Sequence, residues 1–377
     1  MELIANNSQS LLSFIGHACS NADRRKTAID AYEFVLIESK AGQLSISGSN
    51  GSQTFTRVNN NSAIEAIGEG ELCVEAGKFF SVVRALPKDQ TVKLKALKGK
   101  DKAVVTSGRS KLQLKTINPD TYPKNEILID QSSQFNVPSQ NLITLLNDAA
   151  YASGSNDHRI YLNAVNLRAI NNNLYAIASD GHRVSANKYQ IDNHDVELNL
   201  LIPINAVLVF SKINEPASEI QVTFNSTHAQ LNWGGLIYTT SLIDASYPDV
   251  MGLMPKKCKS KVTTNRIEFL DALKRLLALV SDKKNPKIKL SCQDNLVKFQ
   301  TIIDNEEDGL GEDIVSATLA GDVMDYNYGV NPKYLFDALN HMPTENVELL
   351  FTDKLDSFSV VPVGEHTTRA LIMPVRV

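Results

Sequence analysis

Five consecutive residues, Ser179-Asp180-Gly181-His182-Arg183, bring a carboxylate, an imidazole and a guanidinium into one tight turn. Such a trio could transfer protons. The other reading is a surface groove, in which Asp-Gly makes the turn, Gly181 permits close approach, and His182 and Arg183 offer hydrogen-bond donors. The groove is favoured, because no Gly-x-Ser-x-Gly elbow, Walker loop or His-Glu-x-x-His pair accompanies the cluster. An enzyme using Asp180, His182 and Arg183 stays as the rival, and it requires a deep pocket with perturbed titrating groups. Cys19, Cys73, Cys258 and Cys292 lie far apart without metal-ligand spacing. They read as free thiols of a reducing cytoplasm, and neither a metal nor another cofactor is expected.

Two charged runs offer further chemistry. Lys256-Lys257-Cys258-Lys259-Ser260-Lys261 could touch phosphates, but a solvated linker is the favoured reading. Asp304, Glu306, Glu307, Asp308, Glu312 and Asp313 gather the opposite sign in a glycine-bearing stretch that reads as a mobile loop. A head-to-tail contact between two chains would set that stretch against Arg109 and Lys111 on an early strand. The formal net charge of −4 excludes a generally basic nucleic-acid binder but not a local basic surface. No run approaches the ~18 apolar residues that a membrane helix needs. Leu11-Leu12-Ser13-Phe14-Ile15 follows Glu2 rather than a basic segment, so it reads as a helix face and not a signal peptide.

The elements that must position these residues recur three times. Leu11, Leu12, Ile15, Ala18 and Cys19 form a helical stripe, repeated by Leu142, Ile143, Leu146, Ala149 and Ala150, and again by Phe269, Leu270, Leu273, Leu276 and Leu277. Asn265 followed by Glu268 predicts a cap for the third of these helices. A second helix follows in each repeat, at Lys78–Leu86, Asn205–Ile213 and Tyr334–Met342, and Leu86, Ile213 and Met342 stand 127 and 129 residues apart. Alternating runs such as Phe34–Glu38, Val92–Ala96, Leu112–Ile117, Ile220–Phe224, Leu296–Thr301 and Val347–Phe351 predict antiparallel strands with one buried face. Leu112 to Tyr122-Pro123 matches Ile237 to Tyr247-Pro248, and the segments Lys124–Gln134 and Asp249–Lys261 read as linkers. At 377 residues, three domains result, 1–126, 127–253 and 254–377, each an α+β unit of two helices on an antiparallel sheet. The exposed helix faces carry Lys78, Arg84, Lys212, Lys274, Arg275 and Lys333 against Asp148, Asp271 and Asp337, a modest positive excess.

Three tandem domains of this size, the Ser179–Arg183 cluster, Tyr247-Pro248-Asp249, Asn331-Pro332-Lys333-Tyr334-Leu335 and the Met373-Pro374-Val375-Arg376 ending together resemble the bacterial sliding clamps over the whole chain. These are the beta subunits of replicative DNA polymerase III. The resemblance implies a clamp fold in which three domains form half of a six-domain ring. The ring would be a cytoplasmic head-to-tail homodimer enclosing double-stranded DNA without sequence specificity. It would tether the polymerase for processivity and catalyse nothing itself. A cleft between the second and third domains would receive linear peptide motifs of polymerase subunits, the clamp loader and repair proteins. The matching positions are Leu162, Ser179, Gly181, His182, Arg183, Val184, Pro248, Leu253, Leu371 and Met373. Arg25, Tyr161, Lys78 and Arg84 would contact DNA. Arg109, Lys111 and Leu112, joined by Lys78, would meet Leu279, Val280, Glu306, Glu307 and Asp308 across the dimer interface. The chain departs from the family where Gly252 replaces a usual arginine, where Ile160-Tyr161 replaces a tyrosine pair, and where no Pro-x-x-Pro follows Arg25. A three-domain protein-binding adaptor without DNA encirclement is the alternative.

Overall fold

Ala41-Gly42, Asn171-Asn172 and Asp294-Asn295 all adopt positive φ, between 49° and 77°, and each closes a two-residue hairpin. A turn with φ positive at both central residues matches the right-handed twist of its flanking strands. Glycine and asparagine supply that conformation with little strain, and Ala41 is the departure. The three hairpins, Phe34–Lys40 with Gln43–Ser49, Ala164–Ile170 with Asn173–Ser179, and Ile288–Gln293 with Leu296–Thr301, mark the same place in three repeats.

The computed structural model describes residues 1–22, 30–97, 99–124, 132–191, 198–213, 218–255, 257–280, 286–302, 309–321, 326–352, 357–365 and 367–375, with the backbone alone at 326–328. Arg25, Glu306, Glu307 and Asp308 therefore lie outside the described residues, as do Lys256 and most of the segment read as the first linker. The chain divides into two units, Met1–Ser139 with Ile213–Leu242, and Gln140–Lys212 with Ile243–Val377. These limits do not follow the expected boundaries at 126/127 and 253/254, because strand pairing runs across them.

In the first unit a 13-stranded antiparallel sheet continues from the first repeat into strands of the middle one. Its joint is the pair Gln53–Val58 and Leu236–Ser241, in register from Gln53↔Thr240 to Arg57↔Leu236. In the second unit a 12-stranded sheet is joined the same way by Arg183–Gln190 and Thr368–Ile372, with Val184 opposite Leu371. Each joint pairs the strand after a repeat's hairpin with the last strand of a neighbouring repeat. Thr116 and Ile117 meet the strand Gly70–Glu75, whereas Ser110–Lys115 pairs on one side only among the described residues. Glu312–Ser316 is likewise paired on one side, against Leu296–Gln300.

Six α-helices occur among the described residues: α1 (Ser8–Asn21), α2 (Ala76–Ala85), α3 (Ser139–Ala150), α4 (Ile204–Phe210), α5 (Arg266–Leu277) and α6 (Pro332–Asn340). Asparagines begin three of them. Asn7 accepts from Ser10 N, Asn331 from Lys333 N, and Asn265 from both Ile267 N and Glu268 N. Each such cap satisfies donors that the first turn leaves orphaned and contributes about 1 kcal/mol. The buried stripes differ from expectation by one position. Phe14, Leu145 and Ala272 are buried, while Leu12, Ile143 and Leu277 are only partly so. The i+3 position lies nearer the centre of a helix face than its neighbour on the rim does. In the third repeat α5 and α6 cover a core in which the Phe269 and Phe299 rings meet edge to face at 4.8 Å.

Two loop readings are corrected. Glu312 and Asp313 begin the strand Glu312–Gly321, where Lys298 and Arg275 pair with them at 2.7 Å and 2.6 Å. Strand formation brings these cations alongside, so the charges are used within the fold. Of the second supposed linker, Met251–Leu253 is a 3₁₀ turn and Ser260–Asn265 a strand, with Lys261 paired to Glu348 at 2.9 Å. The strand Arg183–Gln190 is buried on both faces, by the apolar Val184 and Ala186 on one and by the polar Ser185 and Asn187 on the other. Ser185 Oγ donates to Asp148 O, and Asn187 Nδ2 donates to Ser185 Oγ.

Gly48 is the closest approach of sheet to helix. A Cβ there would run into the Ala18 carbonyl of α1, and Asn21 Nδ2 already donates to Gly48 O at 3.0 Å. Gly48→Ala is expected to push α1 outward and destabilise the first unit by about 1–3 kcal/mol, as overpacking does elsewhere. Urea unfolding followed through Trp233, whose ring is buried in that unit, measures the loss, and an unchanged midpoint would contradict the packing.

Candidate functional site

The turn that carries Asp180 and His182 is built by its own polar atoms. Asp180 Oδ1 accepts from His182 N at 2.9 Å and Arg183 N at 3.0 Å, while Ser179 Oγ accepts from Gly181 N at 3.1 Å and donates to Arg183 O at 2.8 Å. Gly181 takes φ +88°, which disfavours any side chain there. The second Asp180 oxygen receives Arg183 Nε at 2.9 Å. Asp180 is thus occupied in shaping the turn, and no hydrogen bond links it to the His182 ring. That ring is exposed and lies parallel to Tyr334, 6.3 Å between centroids.

Arg183 points inward, with 12% of its side chain exposed. Its remaining donors reach Asp337 Oδ2 of α6 at 2.6 Å and Tyr151 O, just beyond α3, at 2.7 Å. The guanidinium carbon also lies over two rings, 4.7 Å from Tyr334 and 5.4 Å from Tyr151. Burial opposes the charge, but Asp337 and Asp180 outweigh it and hold the Arg183 pKa above its ordinary value. Arg183 therefore spends its donors on the protein. It is a strut rather than the free donor its sequence neighbourhood suggests.

Beside this strut lies a buried apolar cluster, here called the patch. Ile177, Val184 and Ala186 from the two strands of the turn pack with Leu371, Val250 and Met254, and Tyr175, Tyr247 and Met251 border them. Among the expected cleft residues, Val184 and Leu371 form its floor. Leu253 and Met373 stand at its edge, 62% and 42% exposed, and Pro248 and Gly181 are exposed as well. Met373 N donates to His182 O at 2.9 Å, which carries the ladder one step past the joint and fixes the methionine beside the turn. Ser179 is buried under the turn. Leu162 is buried too, but its carbonyl accepts from Gly154 N and its side chain is not part of this cluster. Gly252 has a local cause: Asp249 Oδ1 accepts its N–H at 3.2 Å, and Asp249 Oδ2 fills the space a Cβ would need.

The other expected sites are scattered. Tyr161 sits on the 3₁₀ turn Ile160–Asn163 with its ring edge to face on Tyr247 at 6.4 Å, at the border of the patch. Lys78 and Arg84 are exposed on α2, the first paired with Glu75 at 3.0 Å and the second 6.0 Å above the Phe80 ring. Arg109, Lys111 and Leu112 are exposed at the open edge Ser110–Lys115. Leu279 is 41% exposed, whereas Val280 is buried and offers no surface side chain. Sequence reasoning missed Leu310, Ile314 and Leu296, exposed apolar residues near the second open edge, of which Leu310 is 79% exposed. It also missed Tyr151, Tyr334 and Asp337 around Arg183. Nothing local marks them, since the contact spans 154 residues of sequence.

Models of the DNA polymerase III beta subunit match the chain in order, the N-terminal domain at residues 1–126, the central domain at 136–249 and the C-terminal domain at 251–376. The chain belongs to the DNA polymerase III beta subunit family. The beta sliding clamp of Pseudomonas putida is 27% identical over 374 residues, covering 98% of both chains. Two solved structures share the fold over the whole chain. The DNA polymerase III subunit beta of Pseudomonas aeruginosa is 24% identical with TM-score 0.91, covering 100% of each chain. The DNA polymerase sliding clamp of Bacillus subtilis is 22% identical with TM-score 0.92 and is covered to 99%. Three similar domains in a clamp fold are thereby established, and the function is that of the family, a DNA sliding clamp in replication. Among the described residues no helix is long and apolar enough to cross a membrane.

One titrating group beside the strut has a measurable consequence. Asp148 of α3 is largely buried, which raises its pKa against a smaller opposing effect of His341. The neutral acid is favoured by the fold, so its contribution is present in acid and is lost as pH rises through the raised pKa. Asp148→Asn keeps the side chain neutral throughout. It is expected to raise the thermal midpoint at about pH 7 and to match wild type at about pH 3, where both side chains are uncharged. Thermal melts at the two pH values measure it, and equal midpoints at neutral pH would contradict it.

Proposed function

We propose that two copies of this sliding clamp join head to tail through their open strand edges and close around double-stranded DNA. One observation carries the reading. Two joints of the same kind are made within the chain, Gln53–Val58 with Leu236–Ser241 and Arg183–Gln190 with Thr368–Ile372, and the third pair of such strands is left open. Aligning Tyr122-Pro123 with Tyr247-Pro248 puts Lys111–Lys115, which are open, on Leu236–Thr240, which are paired. The strand after the third hairpin, Glu312–Gly321, is the counterpart of Gln53–Val58 and Arg183–Gln190, and its open segment is Glu312–Ser316. Joining Ser110–Lys115 of one copy to Glu312–Ser316 of the other satisfies both rows of backbone groups, and a heterologous contact that closes consumes both of these edges. Leu112 on one side, and Leu279, Leu310 and Ile314 on the other, would be covered by the same contact. Arg109 and Lys111 would approach the acidic segment that includes Glu306, Glu307 and Asp308.

The domains of this reading are 1–126, 127–253 and 254–377, and the protein works in the cytoplasm without catalysing a reaction. Enclosure holds DNA without any strong single contact, so weak attraction between helix cations such as Lys78 and Arg84 and the phosphates leaves sliding fast. A polymerase tied to the ring remains at high effective concentration near the primer end. The tie is the patch floored by Val184 and Leu371 and edged by Leu253, Met373 and Pro248. It takes leucine and phenylalanine side chains of linear peptides from polymerase subunits and the clamp loader.

The testing experiment loads the protein onto nicked circular DNA with a clamp loader and then linearises the DNA. Release on linearisation at low salt is expected of a topological clamp, whereas retention would mean binding by contact and would favour the adaptor reading. Separately, Arg109→Glu with Lys111→Glu is expected to shift the dimer toward monomer by repulsion across the joint. Sedimentation at low protein concentration measures this, and an unaltered dimer mass would count against the interface.

A further inference from the structure

We infer that Asp337, a residue of α6 outside the apolar patch, is the positioning residue that sets peptide affinity there, by holding Arg183 against Tyr151 and Tyr334. The inference rests on the reading of that patch as a peptide site. The Arg183 backbone is shared by every structure at the patch's end. Its N–H bonds Asp180, its carbonyl receives Ser179 Oγ, and it pairs in register with Ile372, one residue before Met373. The next residue, Val184, lies in the patch floor opposite Leu371. Whatever fixes Arg183 therefore fixes the floor, the turn and the methionine at the edge.

Three anchors fix its side chain, and they come from different parts of the unit. Asp180 belongs to the turn itself and moves with it. Tyr151 offers only a backbone carbonyl. Asp337 is the one charged anchor on a separate element, and its 2.6 Å contact ties the turn to α6. That helix is in turn seated on the core through Leu335, Ala338 and Leu339. One helical turn before Asp337, Tyr334 places its ring under the Arg183 guanidinium and parallel to His182. One turn after it, His341 Nδ1 bonds the Asp337 carbonyl, and its ring stacks on Tyr151 at 4.5 Å. The Arg183 side chain, next in sequence to Val184 of the floor, is thus held by α6 through both Asp337 and Tyr334. Without the Asp337 carboxylate, Arg183 keeps Asp180, which moves with it, and the neutral Tyr151 carbonyl, and loses its one charged partner on a separate element. A site is only as well organised as the shell that locks its members.

The test uses the full-length protein and a fluorescein-labelled peptide carrying a leucine and a phenylalanine, read by fluorescence polarisation. Asp337→Ala is expected to weaken binding about tenfold, the size of one charge-assisted hydrogen bond, and isosteric Asp337→Asn to weaken it as well without a packing defect. Asp337→Glu is expected to restore most of the affinity. On an Arg183→Ala background, Asp337→Ala should have no further effect, because the two act through one contact. Wild-type affinity in Asp337→Asn and Asp337→Ala, or a full additional loss on the Arg183→Ala background, would overturn the inference while leaving the peptide site intact. Failure of the wild type to bind the peptide would overturn the site itself, and the inference with it.

Discussion

A β-strand with an open side presents a row of amide and carbonyl groups that must pair with something, and the architecture here follows from where those rows meet. Each repeat has two such sides that can meet a neighbouring repeat. One belongs to the strand after its hairpin, the other to its last strand. Within the chain, two of these meetings are made in register, and each welds parts of neighbouring repeats into a single sheet. That is why the units of the fold cut across the repeats of the sequence. Two sides remain, at Ser110–Lys115 and Glu312–Ser316, with exposed leucines and an isoleucine beside them.

The peptide-site candidate is a by-product of one joint. Where Arg183–Gln190 meets Thr368–Ile372, the ladder ends in a tight turn on one strand and a methionine on the other. Apolar side chains on the inner face of that corner, including Val184 and Leu371, are packed against the 3₁₀ segment around Val250 and Met254. Asp180 and Arg183 at the same corner are used up internally. The aspartate of the turn caps two backbone amides, and the arginine is enclosed by two carboxylates and two aromatic rings. Leu253, Met373 and Pro248 are left exposed there beside the His182 ring, apolar surface that suits hydrophobic side chains better than proton transfer.

Much of the fold is legible from residue order. The helical stripes around Leu11, Leu142 and Phe269 and the alternation in Val92–Ala96 or Leu296–Thr301 depend on neighbours three, four or two residues apart, which local geometry fixes. The asparagine at 265 caps its helix because the donors it serves are the next few amides. Legibility fails where burial is polar, as in Arg183–Gln190, where Ser185 and Asn187 are buried on the face opposite Val184 and Ala186, and Ser185 Oγ and Asn187 Nδ2 find hydrogen-bond partners there. It also fails at Glu312 and Asp313, whose composition suggests a loop until strand pairing brings cations beside them.

The sequence by itself determined the three repeats, their helix and strand types, the tight turn at Asp180-Gly181 and the family resemblance, since all of these are written in spacings of a few residues or in whole-chain order. Only the tertiary structure decided what Arg183 does. A guanidinium at a turn reads as a donor for a ligand. Its partners at positions 151 and 337 are brought to it by sheet pairing and by the seating of α6, and no short-range pattern encodes a contact made over that distance. Electrostatics in a folded protein depend on where charges end up, and that is settled by packing rather than by order along the chain.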